Sequence, residues 1–299
     1  MTVINTNISS IQAQTAMRTT RASTEKAMER LSTGLKINFA GDDAAGLAIS
    51  SRMTSQIKGL NMAVKNAQDG ISLTQTAEGA LGEVQNMLQR MRELSLQAAN
   101  DTNSADDRAY LQTELKALST EIDRVAATTT FNNQKLFSGT DFGSFSGSGT
   151  PTSPSTVTLK IQVGSNTGAS DKVEITLQET SASVLGVEVA AAGTAATGNQ
   201  LELDTGANAL DAVTSIDAAL KNVTNLRSSF GAIQNRLEHT VSNLTNIATN
   251  TELARSRIQD ADYAQETSNM TRGQILQQAG TAMLAQANKM SQSVMSLLQ

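Results

Sequence analysis

The chain closes with QILQQAGTAMLAQANKMSQSVMSLLQ, residues 274–299, in which the apolar side chains follow a heptad pattern. The larger residues lie seven apart and smaller ones fill the offset positions: Leu276, Met283, Met290 and Leu297, then Gly280, Ala287 and Val294. Such a repeat is typical of a helix that packs along another helix in a coiled coil. Lys289 is the only charged residue after Arg272, so the charged face of a solvated helix is missing. The pattern therefore predicts a helix that needs a partner.

The beginning of the chain offers a matching segment. Ile4, Ile8 and Ile11 lie on one face of a predicted helix. We expect this face to pair with the C-terminal seam, so that the two chain ends form one rod. Gly34 ends the N-terminal pattern, and Asp42 or Asp43 can cap the helix that follows.

A membrane or a chaperone could also cover an amphipathic segment of this kind. A helix that lies on a membrane surface normally has a basic polar face, whereas this one carries a single lysine. A spanning helix needs about 20 apolar residues in succession, and polar residues between 277 and 289 interrupt the run. Packing against other helices therefore remains the favoured interpretation.

The composition argues against several classes of function. The net charge is −5, so there is no electrostatic reason to expect a nucleic-acid partner. Cysteine is absent, which excludes disulfides, thiol catalysis and cysteine-ligated metals. Aromatic residues make up only 3%, and cores without large rings suit thin helical layers. The first residues lack a basic segment followed by an apolar one, so export, if it occurs, is expected to use a route without a cleaved signal peptide.

Long helices are predicted on both sides of the middle of the chain. Both prolines, Pro151 and Pro154, lie in that middle, which leaves the flanking segments free of the strongest helix breaker. One helix is expected from Ala44 to Ala99, and Ser104 with Asp107 has the form of a capping box for the next. The residues that mark another long helix after Leu210 lie seven apart: Ile216, Val223, Phe230, Leu237 and Leu244.

The region between the long helices has a different character. Residues 138–155 are rich in glycine, serine and threonine, which predicts an exposed flexible loop. Apolar and polar residues alternate over 157–163 and 173–177, which predicts a β-hairpin. Irregular chain is expected from Phe131 to Asn133, and a weaker strand from Val184 to Val189.

No arrangement of residues indicates catalysis. His239 is the only histidine and falls on the polar side of its helix, so a histidine pair for zinc is impossible. The acidic pairs of the chain lie at predicted helix boundaries, where capping explains them better than metal binding. The glycines between 143 and 149 do not match a phosphate-binding loop. We therefore expect no enzyme activity, no cofactor and no metal.

Several longer motifs carry a family resemblance. They are ERLSTGL at 29–35, DDAAGLAI at 42–49, LQRMREL at 88–94, GAIQNR at 231–236, ARSRIQDADY at 254–263 and QILQQAG at 274–280. In this order they closely resemble bacterial flagellin, over roughly 1–137 and 207–299, and residues 160–164 resemble the β-hairpin motif of that family. The chain departs from the family at Ser291, where a proline is common, and in its last residues.

The resemblance implies an architecture. The fold would be mainly α, a long-helix coiled-coil bundle formed by paired N- and C-terminal segments, with a small β-hairpin insertion in the middle. Residues 1–43 and 259–299 would be the inner terminal coiled-coil domain, and residues 44–190 and 206–258 the helical bundle domain, with the hairpin at about 156–190. Residues 138–155 and 191–205 would be variable surface loops, with no separate outer domain.

The resemblance also implies a function and its partners. The chain would be a structural subunit that polymerises into the extracellular bacterial flagellar filament for swimming motility; a hook–filament junction protein is the alternative. The implied partners are further copies of the chain, a flagellar export chaperone on the C-terminal segment, the filament cap and hook-junction proteins, and a host innate immune receptor. Neither a nucleic acid nor a membrane is expected, and export would run through the flagellar export apparatus.

Two sets of site residues follow. We expect self-assembly to use the apolar residues of the two ends, namely Ile4, Ile8, Ile11, Leu276, Met283, Met290, Val294 and Leu297. The resemblance places the immune-receptor contact on Arg90, Leu94, Gln97 and Glu114. Because each end has only one helix to pack on, both ends are expected to be largely disordered in the dilute monomer and to order on polymerisation.

Overall fold

A computed structural model describes residues 7–138, 156–166, 168–189 and 200–296, without the side chains of 169 and 290–296. The six α-helices among these residues confirm a mainly α fold. They are α1 (Ile8–Thr33), α2 (Ala44–Ala98), α3 (Ala105–Thr128), α4 (Ala182–Leu185), α5 (Gly206–Gln259) and α6 (Tyr263–Ser296). The strands are β1 (Thr130–Phe131), β2 (Gln134–Lys135), β3 (Thr156–Gln162) and β4 (Lys172–Gln178).

The chain divides into two compact units. The terminal unit consists of Met1–Lys58 and Ala248–Gln299, and the central unit of Gly59–Ile247. The division falls inside α2 and α5, whereas the predicted domain boundaries at 43 and 259 fall where helices meet linkers. Those domain boundaries stay a prediction. Most of both predicted surface loops lies outside the described residues.

Local signals define the ends of α1. The Asn7 side chain accepts a hydrogen bond from the backbone N–H of Ser10 at 3.1 Å, which caps the start of the helix. Gly34 takes a left-handed conformation with φ of 72°, and its N–H donates to the carbonyl of Arg30. A glycine is favoured there because it adopts this conformation without steric strain. The predicted end of the first helix at Gly34 is thus confirmed.

The two linkers of the terminal unit are bonded to each other. Leu35 and Asp260 form an antiparallel bridge, the N–H of Lys36 donates to the carbonyl of Gln259 at 2.6 Å, and the N–H of Ala261 donates to the carbonyl of Gly34 at 2.9 Å. The segment after α1 is therefore anchored to the segment before α6.

Asp42 and Asp43, which precede α2, form different contacts. The Asp43 Oδ1 atom accepts a hydrogen bond from the N–H of Gly46 at 2.9 Å, so Asp43 is the capping residue. Asp42 closes the preceding turn instead, because its Oδ2 accepts from the N–H groups of Asn38 and Phe39. Its Oδ1 lies 2.7 Å from the ammonium of Lys26 on α1. The Lys26 ammonium, with the two backbone amides, lowers the pKa of Asp42 to about 2.

The central unit has a continuous apolar core. The predicted stripe of α5 is buried along its whole length, and Leu81, Leu88 and Met91 of α2 meet it inside the unit. Leu115 and Ile122 of α3 complete the helical part of this core. Ser104 and Asp107 form the predicted capping box at the start of α3, with the Asp107 N–H donating to Ser104 Oγ at 3.2 Å.

The predicted hairpin is present, with β3 and β4 paired antiparallel in the register Val157 to Leu177 and Leu159 to Ile175. β4 turns Val173, Ile175 and Leu177 into the core, as its alternation predicts. One strand prediction is wrong: residues 182–185 form the short helix α4. Its first N–H, from Ala182, donates to Asp123 Oδ1 at 2.7 Å, and the left-handed Gly186 ends it.

The segment after α3 is also more regular than expected. Strands β1 and β2 pair across a two-residue turn at Asn132 and Asn133, whose φ angles are 49° and 63°. Asparagine tolerates this left-handed conformation better than most residues, and hairpins favour such turns because their twist matches that of the strands. The prediction of irregular chain at Phe131–Asn133 is therefore wrong.

Candidate assembly surface

The terminal unit brings the two chain ends together as an antiparallel pair of helices. The Asn7 amide before α1 donates to the carbonyl of Ala287 near the end of α6, at 3.2 Å. At the other end of the pair, the Arg30 guanidinium lies 2.9 Å from the Glu266 carboxylate. The hydroxyl of Tyr263, the first residue of α6, donates to the carbonyl of Leu31 at 2.9 Å. The predicted pairing of the N- and C-terminal segments is present in the structure.

Small residues of α6 face α1. A Cβ atom added to Gly273 would overlap the Thr24 hydroxyl, and one added to Gly280 would lie 2.8 Å from Met17 Cγ. No side chain fits at either position without a shift, so the two helices approach closely along this face. Thr24 and Ala27 of α1 are buried there.

The larger apolar side chains of α6 lie to one side of these glycines and stay exposed. Ile275 is 60% exposed, Leu276 51% and Met283 65%. With about 100° of rotation per residue, Leu276 and Met283 lie roughly 40–80° around the helix from Gly273 and Gly280, and Ile275 lies roughly 140–160° from them. On α1, Ile8 and Ile11 are 58% and 53% exposed. The terminal unit therefore carries apolar stripes on α1 and α6 that are more than half exposed in the described chain.

The prediction that the C-terminal seam packs against α1 is thus correct for its small residues and wrong for its large ones. Its small positions Gly280 and Ala287 meet α1, but the prediction that Leu276 and Met283 pack against Ile8 and Ile11 is wrong. The reason is the close approach of the backbones, which only the glycine face permits. Of the remaining predicted assembly residues, Ile4 and Leu297 lie outside the described residues. Met290 and Val294 belong to α6, but their side chains lie outside the description.

The predicted receptor-contact residues lie in the central unit. Arg90 of α2 reaches Glu114 of α3, with its Nη2 atom 2.8 Å from Glu114 Oε1, and Glu93 lies 3.2 Å from its Nη1. Hydrogen bonding to Glu114, and then to Glu93, raises the pKa of Arg90 above its ordinary value. Gln97 is exposed about two helical turns after Arg90 on α2. The structure therefore brings Arg90 and Glu114 together on the surface.

Leu94 differs from the other three predicted contact residues. It is 1% exposed and belongs to the apolar core of the central unit. A partner could touch its side chain only after that part of the core had opened. A receptor that approaches this face would meet Arg90, Gln97 and Glu114 first.

The structure shows residues that the sequence patterns did not single out. Arg30 and Glu266 pair across the terminal helices, Lys26 reaches Asp42, and Gly273 accommodates Thr24. The spacing of Gly273, Gly280 and Ala287 at seven residues is a signal that could have identified the contact face of α6. The ion pairs have no comparable signal, because their members are far apart in the sequence.

The described residues contain no group of three or more histidine, cysteine, aspartate or glutamate residues that could hold a metal ion. His239 is exposed on α5, as predicted. None of the helices in the described ranges has the length and apolar character needed to cross a membrane.

A pair of terminal helices with uncovered apolar stripes, attached to a bundle that has a core of its own, defines a subunit of a helical assembly. The family profile described as bacterial flagellin N-terminal helical region matches residues 4–141, and the C-terminal helical region of the same family matches residues 213–298. A flagellin of Halalkalibacterium halodurans is 45% identical over 296 residues, which is 99% of each chain. The chain belongs to the bacterial flagellin family.

One further relative and one solved structure are similar to the chain. The flagellar filament 33 kDa core protein of Treponema phagedenis is 44% identical over 298 residues and 99% of each chain. The crystal structure of Bacillus cereus flagellin covers 64% of this chain and 94% of its own length, with 31% identity and a TM-score of 0.46. The chain is a structural subunit of the bacterial flagellar filament, outside the cell.

Proposed function

We propose that the subunit polymerises through the outward apolar stripes of α1 and α6. The observation that carries this proposal is the exposure of Leu276 and Met283, at 51% and 65%, on a helix whose adjacent glycine face is already in contact with α1. Burying one such side chain contributes about 1.5–3 kcal/mol, so several of them favour association strongly. The same reasoning extends to Ile8 and Ile11, and by their position in the sequence to Ile4, Met290, Val294 and Leu297.

Polar substitutions on the outward stripe test this proposal. The variant Leu276→Gln/Met283→Gln keeps good helix formers and removes two apolar contacts. We expect its critical concentration for seeded filament growth to rise by about tenfold or more. Met62→Gln is the matched control, because Met62 of α2 is also exposed, at 56%. Electron microscopy and light scattering measure growth, and normal growth of the double variant would refute the proposal.

The chaperone is part of the same proposal. An export chaperone that covers Ile275, Leu276 and Met283 would keep an unassembled subunit from associating too early. We also propose that the filament cap and the hook-junction proteins contact the terminal helices, since they meet the subunits at the two ends of the polymer. Export through the flagellar apparatus without signal cleavage is tested by sequencing the N-terminus of filament protein. In this proposal the role of the chain is structural, with no catalytic activity.

We propose further that a host innate immune receptor contacts the exposed surface formed by Arg90, Gln97 and Glu114. Three polar side chains, two of them joined by an ion pair, offer directional contacts to a partner. Arg90→Ala should lower receptor signalling by the soluble monomer. Arg124→Ala is the control, because Arg124 forms an equally exposed pair with Glu121 on α3 alone. Equal signalling by Arg90→Ala and the unmodified monomer would contradict the proposal.

A further inference from the structure

We propose that the ion pair between Arg30 and Glu266 determines the register in which α1 and α6 pair. The inference concerns pairing within one chain. It therefore does not depend on which outer face contacts neighbouring subunits.

The contact face between the two helices leaves the register open. On α6 the small residues Gly273, Gly280 and Ala287 repeat every seven positions. A slip of one heptad, about 10 Å along the helix, would place Met17 opposite Gly273 or Ala287 instead of Gly280. Gly273 is as small as Gly280 and would accept the Met17 side chain, whereas the Cβ atom of Ala287 would force that side chain to shift. Packing of this face therefore discriminates little between the observed register and the slip toward Gly273.

The ion pair breaks this repetition. Glu266, with 8% of its surface exposed, is the only charged residue among the buried ones in the described part of the chain. Its carboxylate lies 2.9 Å from Arg30 Nη1, and the exposed fractions of the two side chains are 22% for Arg30 and 10% for Glu266. Asn269 donates a second hydrogen bond to Glu266, at 3.4 Å. The charge of Glu266 is thus compensated at one position of α1.

A slipped register would separate the two charges. The slip that brings Met17 opposite Gly273 would place Glu266 near Thr24, a neutral residue on the buried side of α1. A buried carboxylate without a cationic partner is strongly unfavourable, whereas a neutral seam would accept the shift. A single buried polar position is known to select register in coiled coils by the same mechanism.

Whether α1 can slip along α6 depends also on the linker that follows α1. Ten residues, 34–43, connect α1 to α2, and an extended chain of that length spans about 33 Å. The bridge between Leu35 and Asp260 is the competing determinant of register, because it also joins the two segments. Backbone hydrogen bonds of this kind carry no side-chain identity, so the bridge could form again with a neighbouring residue.

Register has a consequence for the outer surface. The relative positions of Ile8 and Ile11 on α1 and of Leu276 and Met283 on α6 would change by about 10 Å in a slipped pair. This consequence for the outer surface is the only part of the inference that rests on the proposed assembly function. A neighbouring subunit that fits one arrangement of these stripes would not fit the other.

Cysteine cross-linking reports the register directly, since the natural chain has no cysteine. The pair Met17→Cys/Gly280→Cys reports the observed register, because its Cβ atoms lie close enough for a disulfide. The pairs Met17→Cys/Gly273→Cys and Met17→Cys/Ala287→Cys report a slip in either direction. Each pair is placed in the full chain and oxidised in filaments. Mixing isotope-labelled and unlabelled chains distinguishes bonds within a chain from bonds between chains.

The three cysteine pairs are introduced into the unmodified chain and into three double variants, called backgrounds here. Arg30→Met/Glu266→Met removes both charges, and Arg30→Glu/Glu266→Arg exchanges them. Arg21→Met/Glu25→Met is the control, because that pair lies at 3.0 Å on the exposed side of α1 alone. We expect the ratio of observed-register to slipped cross-links to fall at least tenfold in the Met/Met background. The ratio should return in the exchanged background and stay unchanged in the control.

An unchanged ratio in the Met/Met background would overturn the proposal and assign the register to the linker bridge. Failure of the exchanged charges to restore the ratio would overturn it as well. Both results are read in filaments, where the chain ends are expected to be ordered, and every background keeps Leu276 and Met283. If the Met/Met chain forms no filaments, the exchanged charges decide, because restored growth supports the proposal and continued loss overturns it. These results are therefore distinct from a failure of the assembly proposal, which is judged by the growth of Leu276→Gln/Met283→Gln.

Discussion

Gly280 allows α1 and α6 to approach each other closely. Its missing Cβ leaves room for the Met17 side chain, and the contact between α1 and α6 depends on that room. Gly273 does the same for Thr24. Glycine in a helix interior costs about 1 kcal/mol relative to alanine, so the close contact must offset this loss.

We expect Gly280→Val to weaken the pairing of α1 and α6 by about 1–3 kcal/mol, because the added side chain overlaps Met17. The temperature at which filaments dissociate, followed by circular dichroism, measures the effect. Met17→Ala in the same chain should restore much of the loss, since it removes the overlapping atoms. If Gly280→Val filaments dissociate at the unmodified temperature, the contact face has been assigned incorrectly.

The turn between α1 and α2 is held by a charged side chain, that of Asp42. The carboxylate of Asp42 holds two backbone N–H groups and the ammonium of Lys26 at once. Its pKa is lowered to about 2, so the ionised form is the one that stabilises the folded turn. This contribution is complete above the ordinary pKa of 3.8 and is lost as the pH falls through about 2.

The titration of Asp42 can be followed by NMR through the amide signals of Asn38 and Phe39. We expect a midpoint near 2 in the unmodified chain. Lys26→Met should move this midpoint upward, because the hydrogen bond from Lys26 is the largest cause of the lowered pKa. Lys36→Met, an exposed lysine in the same segment, should leave it unchanged. A midpoint of 3.8 in the unmodified chain would show that these contacts do not form in solution.

For the chain as a whole, the two compact units differ in how they are stabilised. The central unit holds a core to which α2, α3, α5 and the β3–β4 hairpin all contribute. The terminal unit has few buried apolar residues and places its larger ones on the outside. We therefore expect the central unit to be stable in the monomer and the chain ends to depend on neighbouring subunits.

Deleting residues 276–299 should abolish seeded filament growth and leave the cooperative unfolding of the central unit intact. The deletion removes Leu276 and Met283 but no residue of the central core. Hydrogen exchange on the full chain should show weak amide protection of 276–296 in the dilute monomer and strong protection in the filament. Growth of the truncated chain, or strong protection of this segment in the monomer, would contradict the expectation.

Much of the fold could be predicted from the sequence because the signals are local. The seven-residue spacing from Ile216 to Leu244 describes one buried stripe wherever the helix lies, and all five residues are buried. Ser104 and Asp107 cap α3 through contacts three residues apart. The alternation over 157–163 and 173–177 requires only that one face of the hairpin be covered.

Only the tertiary structure decided which face of α6 meets α1. A heptad pattern marks Leu276 and Met283 as apolar, but it does not say whether a helix of the same chain covers them. The distance between the helices decides this, and Gly273 and Gly280 set that distance through their contacts with Thr24 and Met17. The pairing of Arg30 with Glu266 and the separate tasks of Asp42 and Asp43 were undecided for the same reason. A local pattern depends on neighbours along the chain, whereas the choice of a distant partner depends on the free energy of the whole arrangement.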